Sequence, residues 1–328
     1  MNNYTWIEKK LHQLALSSNF MKVTMFDLER LIFSDIKKDQ MQDHVYISGL
    51  ARSGTTILLN SIYHSGEFAS LTYDDMPFIL SPNLWSKLYI RDKNPELKER
   101  AHGDNIKIST NSPEAFEEVF WETFSDNYES HKLYKEYISL ILKKNKKIRY
   151  LSKNNQNLKR LIDISKIYPD AKILIPFRNP LQHANSILHQ HEHFLNEEEN
   201  YPFAIEYMRL IGHSEFGPDY KAFSKSGIEF KNDMSINHWL EQWIIVYEKV
   251  LRLPLESGNF YPICYELLSN DSNFWSHIKK LLKIKHSYSI DDFNESKKEI
   301  VKTFDMNLLD KAMNLYEQLK KISSKKLA

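Results

Sequence analysis

One short stretch constrains the fold of this chain more than any other: HVYISGLARSGTTILLNSIYH, residues 44–64. An apolar run of strand length leads into a turn, and a helical apolar pattern follows it. Gly49 and Gly54 bracket the turn in a chain that has 8 glycines. Glycine at both points lets successive N–H groups face inward, and the next helix directs its N-terminal amides to the same place. The stretch therefore predicts a phosphate-binding loop.

This loop lacks the lysine of an ATP-binding P-loop. Thr55 stands in its place, so a triphosphate bound to Mg²⁺ would lose the contact that the lysine makes. A shorter anion keeps the amides, a fixed cation and several hydroxyl groups as partners. The candidate binding residues are Arg52, Ser53, Gly54, Thr55 and Thr56. The alternative is a tight turn between strand and helix that binds nothing.

The arrangement of apolar segments predicts the fold class. Buried strands are predicted at 44–48, 148–152, 171–177 and 260–266. Each is followed by a helical pattern, at about 54–65, 154–167, 180–194 and 272–284. Repeated strand–helix units predict an α/β fold, with a parallel sheet flanked by helices.

Helical insertions are expected between these units. One is predicted at 112–124, with Ser112 as its N-cap and Pro113 as its first residue, and another at 236–253. The whole chain, 1–328, is predicted to form one domain. Its helical extensions are expected at 1–40 and 295–328.

Composition narrows the function. Lys and Arg total 44 against 43 Asp and Glu, so no overall positive field attracts nucleic acid. Cys264 is the only cysteine, which excludes an internal disulfide and a thiolate metal cluster, and we predict no metal. No apolar run reaches the roughly 18 residues of a membrane span. The N-terminal segment lacks the apolar core of a secretory signal, so we predict a cytoplasmic protein of unspecified oligomeric state.

The order L-A-R-S-G-T-T-I-L after a strand resembles the 5′-phosphosulfate loop of sulfotransferases that use 3′-phosphoadenosine 5′-phosphosulfate (PAPS). In that family the loop binds the phosphosulfate end of the donor without a metal. An arginine at a strand end and a serine eight residues later bind the 3′-phosphate, and Arg178 and Ser186 match this pattern. The resemblance implies a P-loop-like sulfotransferase fold, with PAPS as co-substrate and a hydroxyl group as sulfuryl acceptor.

The resemblance also suggests catalytic residues. Related protein-tyrosine and heparan sulfotransferases have a glutamate base after the loop helix, and Asp75 is similar in position. Asp74 is the alternative, because adjacent side chains of an extended chain face opposite ways and only one of the two acids can enter the site. Lys153 is similar in position to the lysine that stabilises the leaving side. The alternative for the aspartates is a loop acid that caps a helix or faces water, and the alternative for Lys153 is a solvated lysine at a strand end. Tyr265 and Glu266 resemble a later Tyr-Glu pair of the family and are interpreted mainly as packing residues.

Other functions remain compatible with the loop. A nucleoside or small-molecule kinase with a degenerate P-loop is one, and a nucleotide-binding protein without transfer activity is another. The aromatic content of 13% suits sugars and aryl ligands equally. For a sulfotransferase, the preferred acceptor is a carbohydrate or another hydroxylated metabolite.

Overall fold

The part of the chain that the structure describes is built on a parallel sheet of four strands. The computed structural model describes residues 6–34, 42–88, 97–99, 107–197, 202–223, 234–286, 293, 299–300 and 302–327. Its strands are β1 (Val45–Ile47), β2 (Lys98–Glu99), β3 (Lys107–Ile108), β4 (Leu151–Lys153), β5 (Lys172–Phe177) and β6 (Phe260–Cys264). The sheet has the order β4–β1–β5–β6, whereas β2 and β3 form a separate antiparallel pair.

Helices cover both faces of this sheet. In chain order they are α1 (Trp6–Ser17), α2 (Asn19–Phe33), α3 (Thr55–Tyr63), α4 (Pro82–Leu88), α5 (Glu118–Phe124), α6 (Ser130–Asn145), α7 (Leu161–Ile167), α8 (Pro180–Glu197), α9 (Pro202–Leu210), α10 (Ile236–Leu251), α11 (Tyr265–Asn270), α12 (Ser272–Leu281) and α13 (Met306–Leu327). Short 3-10 helices span Tyr73–Asp75 and Asn155–Lys159. The predicted α/β class, with a parallel sheet between helices, is confirmed.

The strands are apolar on both sides because helices cover both faces of the sheet and side chains alternate between those faces. Val45, Ile47 and Leu174 pack in one cluster with residues of α3 and α12. Tyr46 and Ile173 belong to the larger cluster, which includes residues of α2, α6, α8 and α10. With both faces buried, a register slip of one residue would place each side chain in the wrong core. Polar side chains reach a ligand only at the strand ends.

The helix α13 covers the sheet edge formed by β6. The Cys264 N–H donates to Ser323 Oγ of α13 at 3.1 Å. Tyr316, also on α13, donates from its hydroxyl to Glu266 Oε2 at 3.1 Å. A covered edge strand offers no unpaired row of backbone groups to another chain.

The predicted terminal extensions contain helices where the structure describes them. Within 1–40 these are α1 and α2, and within 295–328 it is α13. Residues 1–5, 35–40, 295–298, 301 and 328 of these extensions lie outside the described residues. The assignment of the whole chain to one domain stays a prediction.

The insertion predicted as a helix over 112–124 has its helix only from Glu118 onward. Ahead of that helix, Pro113 lies opposite Thr72 in an antiparallel bridge. The prediction of Ser112 as the helix N-cap is therefore wrong. Pairing with the chain that follows α3 holds this segment extended, and tertiary contact overrides its local helix-start pattern.

Two other boundaries also differ from the prediction. The strand predicted at 260–266 ends at Cys264, because Tyr265 and Glu266 already belong to α11. The helix predicted at 154–167 is divided into a 3-10 helix and α7. Both differences occur at the carboxyl edge of the sheet, where the chain turns to present polar groups.

Candidate active site

The predicted phosphate loop connects the carboxyl end of β1 to α3. Arg52 and Gly54 have positive φ angles, of 70° and 92°. This left-handed region suits glycine but is strained for arginine. Ser53 closes the turn, since its N–H and its Oγ both donate to Leu50 O, at 3.2 and 2.7 Å. The loop therefore curls back on itself immediately before the helix.

The amino terminus of α3 supplies backbone donors to this loop. Gly54 precedes the first helical residue and brings no side-chain cap. The helical ladder starts at Leu58, whose N–H donates to Gly54 O at 3.1 Å. As in any α-helix, the first N–H groups of α3 are directed out of its amino end. Together with the helix dipole, they favour an anion at this point.

The two predicted phosphate elements meet in the folded chain. Arg52 Nε donates to Ser186 Oγ at 3.4 Å, although the residues are 134 positions apart. Arg52 belongs to the loop, and Ser186 lies on α8, one turn and a half after that helix begins. Both side chains are partly exposed. The structure thus brings together a residue predicted to bind the phosphosulfate, Arg52, and a residue predicted to bind the 3′-phosphate, Ser186.

Tyr265 connects Arg178 with the loop. Phe177 and Cys264 are paired across β5 and β6, so the next residues, Arg178 and Tyr265, leave the sheet side by side. The Arg178 guanidinium carbon lies 5.9 Å from the centroid of the Tyr265 ring. The same ring packs on Gly54, where a Cβ would lie 2.5 Å from Tyr265 Cδ2. Tyr265 is buried, as its interpretation as a packing residue expects, and it packs between the two phosphate elements.

Glu266 fixes the turn that follows Arg178. Its Oε1 accepts the Asn179 N–H at 2.7 Å, and its Oε2 accepts the Tyr316 hydroxyl at 3.1 Å. The carboxylate therefore links the start of α8 to α13. The hydrogen bond to Asn179 fixes the backbone next to Arg178. This is a role beyond packing that the sequence pattern does not reveal.

Lys153 is paired with a carboxylate that the sequence did not single out. It ends β4 opposite Ile47, the last residue of β1 before the loop. Its Nζ lies 3.3 Å from Glu114 Oε1, and Glu114 Oε2 accepts the Tyr73 hydroxyl at 3.0 Å. His213 lies in the same region, where burial and Lys153 lower its pKa while the nearby Glu215 raises it.

The position of Glu114 carries no signal in the sequence. It precedes Lys153 by 39 residues, in a segment whose composition favours the start of a helix. Only the extended pairing of this segment brings its carboxylate to the carboxyl end of β4. Lys153 and Glu114 together form a buried ion pair beside the loop.

Asp75 is held by two partners. Its Oδ2 accepts the Thr72 N–H at 2.8 Å and the Thr72 hydroxyl at 3.1 Å, which is a capping box for the 3-10 helix. Its Oδ1 forms an ion pair with Lys144 at the end of α6. The side chain of Asp75 is 1% exposed and that of Lys144 is 4% exposed. These contacts are those of a structural carboxylate, and a role as base stays a prediction.

Asp74, the alternative base, is also buried, at 4% exposure. Its backbone N–H donates to Thr110 O at 2.8 Å, and its carbonyl oxygen accepts the Trp85 indole N–H at 3.1 Å. Backbone hydrogen bonds therefore fix the 3-10 helix that carries the two aspartates. Proton transfer by Asp74 stays a prediction.

Two negative findings apply to the described residues. Among them, no group of three or more His, Cys, Asp and Glu side chains is arranged to hold a metal ion. No helix in this part of the chain is long and apolar enough to cross a membrane.

Comparison with known proteins identifies the family of this chain. The sulfotransferase family profile matches residues 44–283, a range that contains the loop and both strand-end elements. The chain belongs to the sulfotransferase family. No curated protein matches this chain by sequence.

Two solved structures have the same fold as this sulfotransferase. Sulfotransferase STF1 from Mycobacterium tuberculosis H37Rv is 12% identical, with a TM-score of 0.50 over 98% of this chain and 87% of that chain. Sulfotransferase STF9 from Mycobacterium avium is 11% identical, with a TM-score of 0.51 over 99% of this chain and 87% of that chain. The predicted sulfotransferase fold is confirmed.

We expect Gly54→Ala to destabilise the protein more than Gly66→Ala does. The φ angles are +92° and +69°, so each alanine adds about 1–2 kcal/mol of left-handed strain. A Cβ at Gly54 also meets the Tyr265 ring, whereas nothing lies within 4 Å of a Cβ at Gly66. Urea unfolding of both variants measures the difference, and equal losses would contradict the packing of Tyr265 on the loop.

The ion pair of Asp75 generates a second prediction. Asp75→Asn leaves the Lys144 ammonium buried without its counter-charge, so we expect the free energy of unfolding to fall by about 3–5 kcal/mol. The exposed pair of Lys325 and Glu256 is the control, and Glu256→Gln should change stability by less than about 1 kcal/mol. Chemical denaturation measures both. A loss for Asp75→Asn as small as the control's would refute the structural role.

Proposed function

We propose that this sulfotransferase uses PAPS as its donor and transfers the sulfuryl group to an acceptor hydroxyl. The observation that carries the proposal is the contact between Arg52 and Ser186, at 3.4 Å. A donor with phosphate groups at both ends of its ribose needs two anion sites at a fixed separation. Two elements far apart in sequence meet in one site, which supports such a donor more than a ligand with one phosphate.

In this proposal the loop binds the phosphosulfate. The α3 amides and the hydroxyls of Thr55 and Thr56 donate to its oxygens, and Arg52 adds a planar cation. Ser53 shapes this loop, because its hydroxyl proton is donated to Leu50 O. Arg178 and Ser186 bind the 3′-phosphate, where a guanidinium makes two parallel hydrogen bonds. The packing of Tyr265 between Gly54 and Arg178 supports a fixed distance between the two ends.

The reaction is an in-line displacement at sulfur. The acceptor oxygen forms the new S–O bond while the bond between sulfur and the bridging phosphate oxygen breaks. The electron pair of that bond remains on the leaving 3′-phosphoadenosine 5′-phosphate, and the acceptor proton passes to a carboxylate. Lys153 stabilises the negative charge that moves toward the leaving side. No metal takes part in this scheme.

Three carboxylates are candidates for the proton acceptor. Asp75 and Asp74 are proposed from the family resemblance, and the ion-pair partner of Asp75 is Lys144 rather than the proposed catalytic cation. Glu114 contacts the proposed catalytic cation, Lys153, at 3.3 Å. We favour Glu114 on this contact, since the base and the cation of the reaction must face the same group.

The acceptor is proposed to be a carbohydrate or another hydroxylated small molecule, and the site of action to be the cytoplasm. No nucleic-acid partner is proposed, since the chain has a net charge of +1. Family membership favours sulfuryl transfer over the kinase alternative.

Donor binding is tested by thermal unfolding with 3′-phosphoadenosine 5′-phosphate. At about one hundred times its Kd, this ligand should stabilise the protein by about 2.7 kcal/mol. For a chain of this length that corresponds to a rise in Tm of about 4 °C. Arg52→Ala and Arg178→Ala each remove a charged donor, and we expect about 10- to 100-fold weaker binding from each.

Arg252→Ala is the matched control, since Arg252 is exposed beyond α10, on the side where β6 begins rather than where it ends. The affinity of this variant for 3′-phosphoadenosine 5′-phosphate should equal that of the wild type. A shift with ATP and Mg²⁺ in place of the bisphosphate would support a kinase. No shift with either ligand would refute a nucleotide donor at this loop.

The proposed base is tested by Glu114→Gln, which keeps the size of the side chain and removes its basicity. We expect kcat for an accepted substrate to fall by about 10²- to 10⁴-fold, with bisphosphate affinity unchanged. Steady-state kinetics with Asp75→Asn in parallel measure this. Unchanged kcat in Glu114→Gln, with a loss in Asp75→Asn that exceeds its loss of folded protein, would assign the base to Asp75.

A further inference from the structure

A buried histidine of α8 contacts the backbone of the phosphate loop. His183 Nε2 lies 2.7 Å from Ala51 O, and the side chain is 0% exposed. A carbonyl oxygen only accepts hydrogen bonds, so Nε2 carries the proton and donates it. The other ring nitrogen, Nδ1, is buried and has no hydrogen-bond partner among the described residues. The ring therefore makes its one hydrogen bond to the loop.

The ring remains neutral although it lies beside the anion site. Burial lowers its pKa to about 3, and the charges of Arg178 and Arg52 act in the same direction, against the bond to Ala51, which raises it. A neutral imidazole adds no positive charge that would repel the two arginines. It acts through its hydrogen bond and its packing.

This hydrogen bond determines how one loop peptide is oriented. The carbonyl and N–H of a trans peptide point in opposite directions. When His183 holds the Ala51 carbonyl toward α8, the Arg52 N–H must point away from that helix. Arg52 also has a φ of 70°, which is strained for a residue with a side chain. A bond that fixes its preceding peptide offsets part of this strain.

The same face of α8 binds the loop twice. His183 and Ser186 are three residues apart, so they are neighbours on one side of the helix. His183 holds the backbone ahead of Arg52, and Ser186 accepts the hydrogen bond of the Arg52 side chain. Because α8 begins at Pro180, two residues after Arg178, the loop is held to the helix that follows Arg178 and carries Ser186.

We propose that His183 is a positioning residue that couples the two phosphate subsites of the donor. By holding the peptide between Ala51 and Arg52 against α8, it fixes the separation of the loop from Arg178 and Ser186. A ligand with two phosphates needs both subsites at one separation, whereas a ligand with one phosphate tolerates a displaced loop. The inference rests on the proposed donor class and adds a residue that the family resemblance does not assign.

The test compares His183→Leu, which removes the donor, with His183→Gln, whose side-chain amide restores one at similar reach. Calorimetry measures the affinity for 3′-phosphoadenosine 5′-phosphate, 5′-AMP and 3′-AMP. We expect His183→Leu to weaken the bisphosphate by about tenfold, which is one lost backbone hydrogen bond, and each monophosphate by less than about threefold. His183→Gln should remain within about threefold of the wild type for all three.

His44→Leu is the matched control. His44 is 1% exposed, accepts one backbone hydrogen bond from the Tyr150 N–H at 3.0 Å, and lies at the opposite end of β1. The His44→Leu substitution should lower the Tm and leave the affinity for 3′-phosphoadenosine 5′-phosphate unchanged. Equal loss for bisphosphate and monophosphates in His183→Leu, or an equal effect of His44→Leu, would overturn the coupling.

A second measurement separates this inference from the donor proposal. Hydrogen–deuterium exchange of the ligand-free protein should be faster in residues 48–56 of His183→Leu and unchanged there in His44→Leu. Absence of bisphosphate binding in the wild type refutes the donor. Unchanged exchange in the loop of His183→Leu refutes the positioning role, whatever the ligand.

Discussion

The structure depends on a parallel sheet that is buried on both faces. Alternate side chains of each strand enter different cores, so polar groups are excluded from the faces and appear where the strands end. The loop follows β1, Lys153 ends β4, Arg178 follows β5 and Tyr265 follows β6. Four elements far apart in the sequence therefore deliver their polar or aromatic groups to one edge.

The loop at this edge is held by hydrogen bonds from the protein. Its left-handed residues would relax in an isolated peptide, because arginine has no intrinsic preference for a φ of 70°. Ser53 closes the turn from within, and His183 and Ser186 hold it from α8. Such preorganisation means that the geometry of an anion site exists before the ligand arrives, and less of the binding free energy is used to order the loop.

Buried carboxylates around the edge have different partners, and these partners indicate different tasks. Asp75 caps a short helix and neutralises Lys144, and Glu266 links two helices behind Arg178. Glu114 faces the lysine proposed to act in transfer. A carboxylate that is removed from water needs such partners in every case. The position of an acid in the sequence therefore does not indicate whether it is catalytic. The identity of its counter-ion in the folded protein is the better indication.

The sequence by itself determined the class of fold and predicted the elements proposed to bind the donor. Apolar runs of strand length, each followed by a helical pattern, are local features, and so are the glycine loop and the strand-end arginine. The helix predicted at 112–124 failed because pairing of Pro113 with Thr72 outweighs local preference. Only the tertiary structure decided that Glu114 meets Lys153, that Tyr265 packs on Gly54, and that His183 holds Ala51. These contacts join residues far apart in the chain, and no local pattern encodes which distant side chain will be brought against a given strand end.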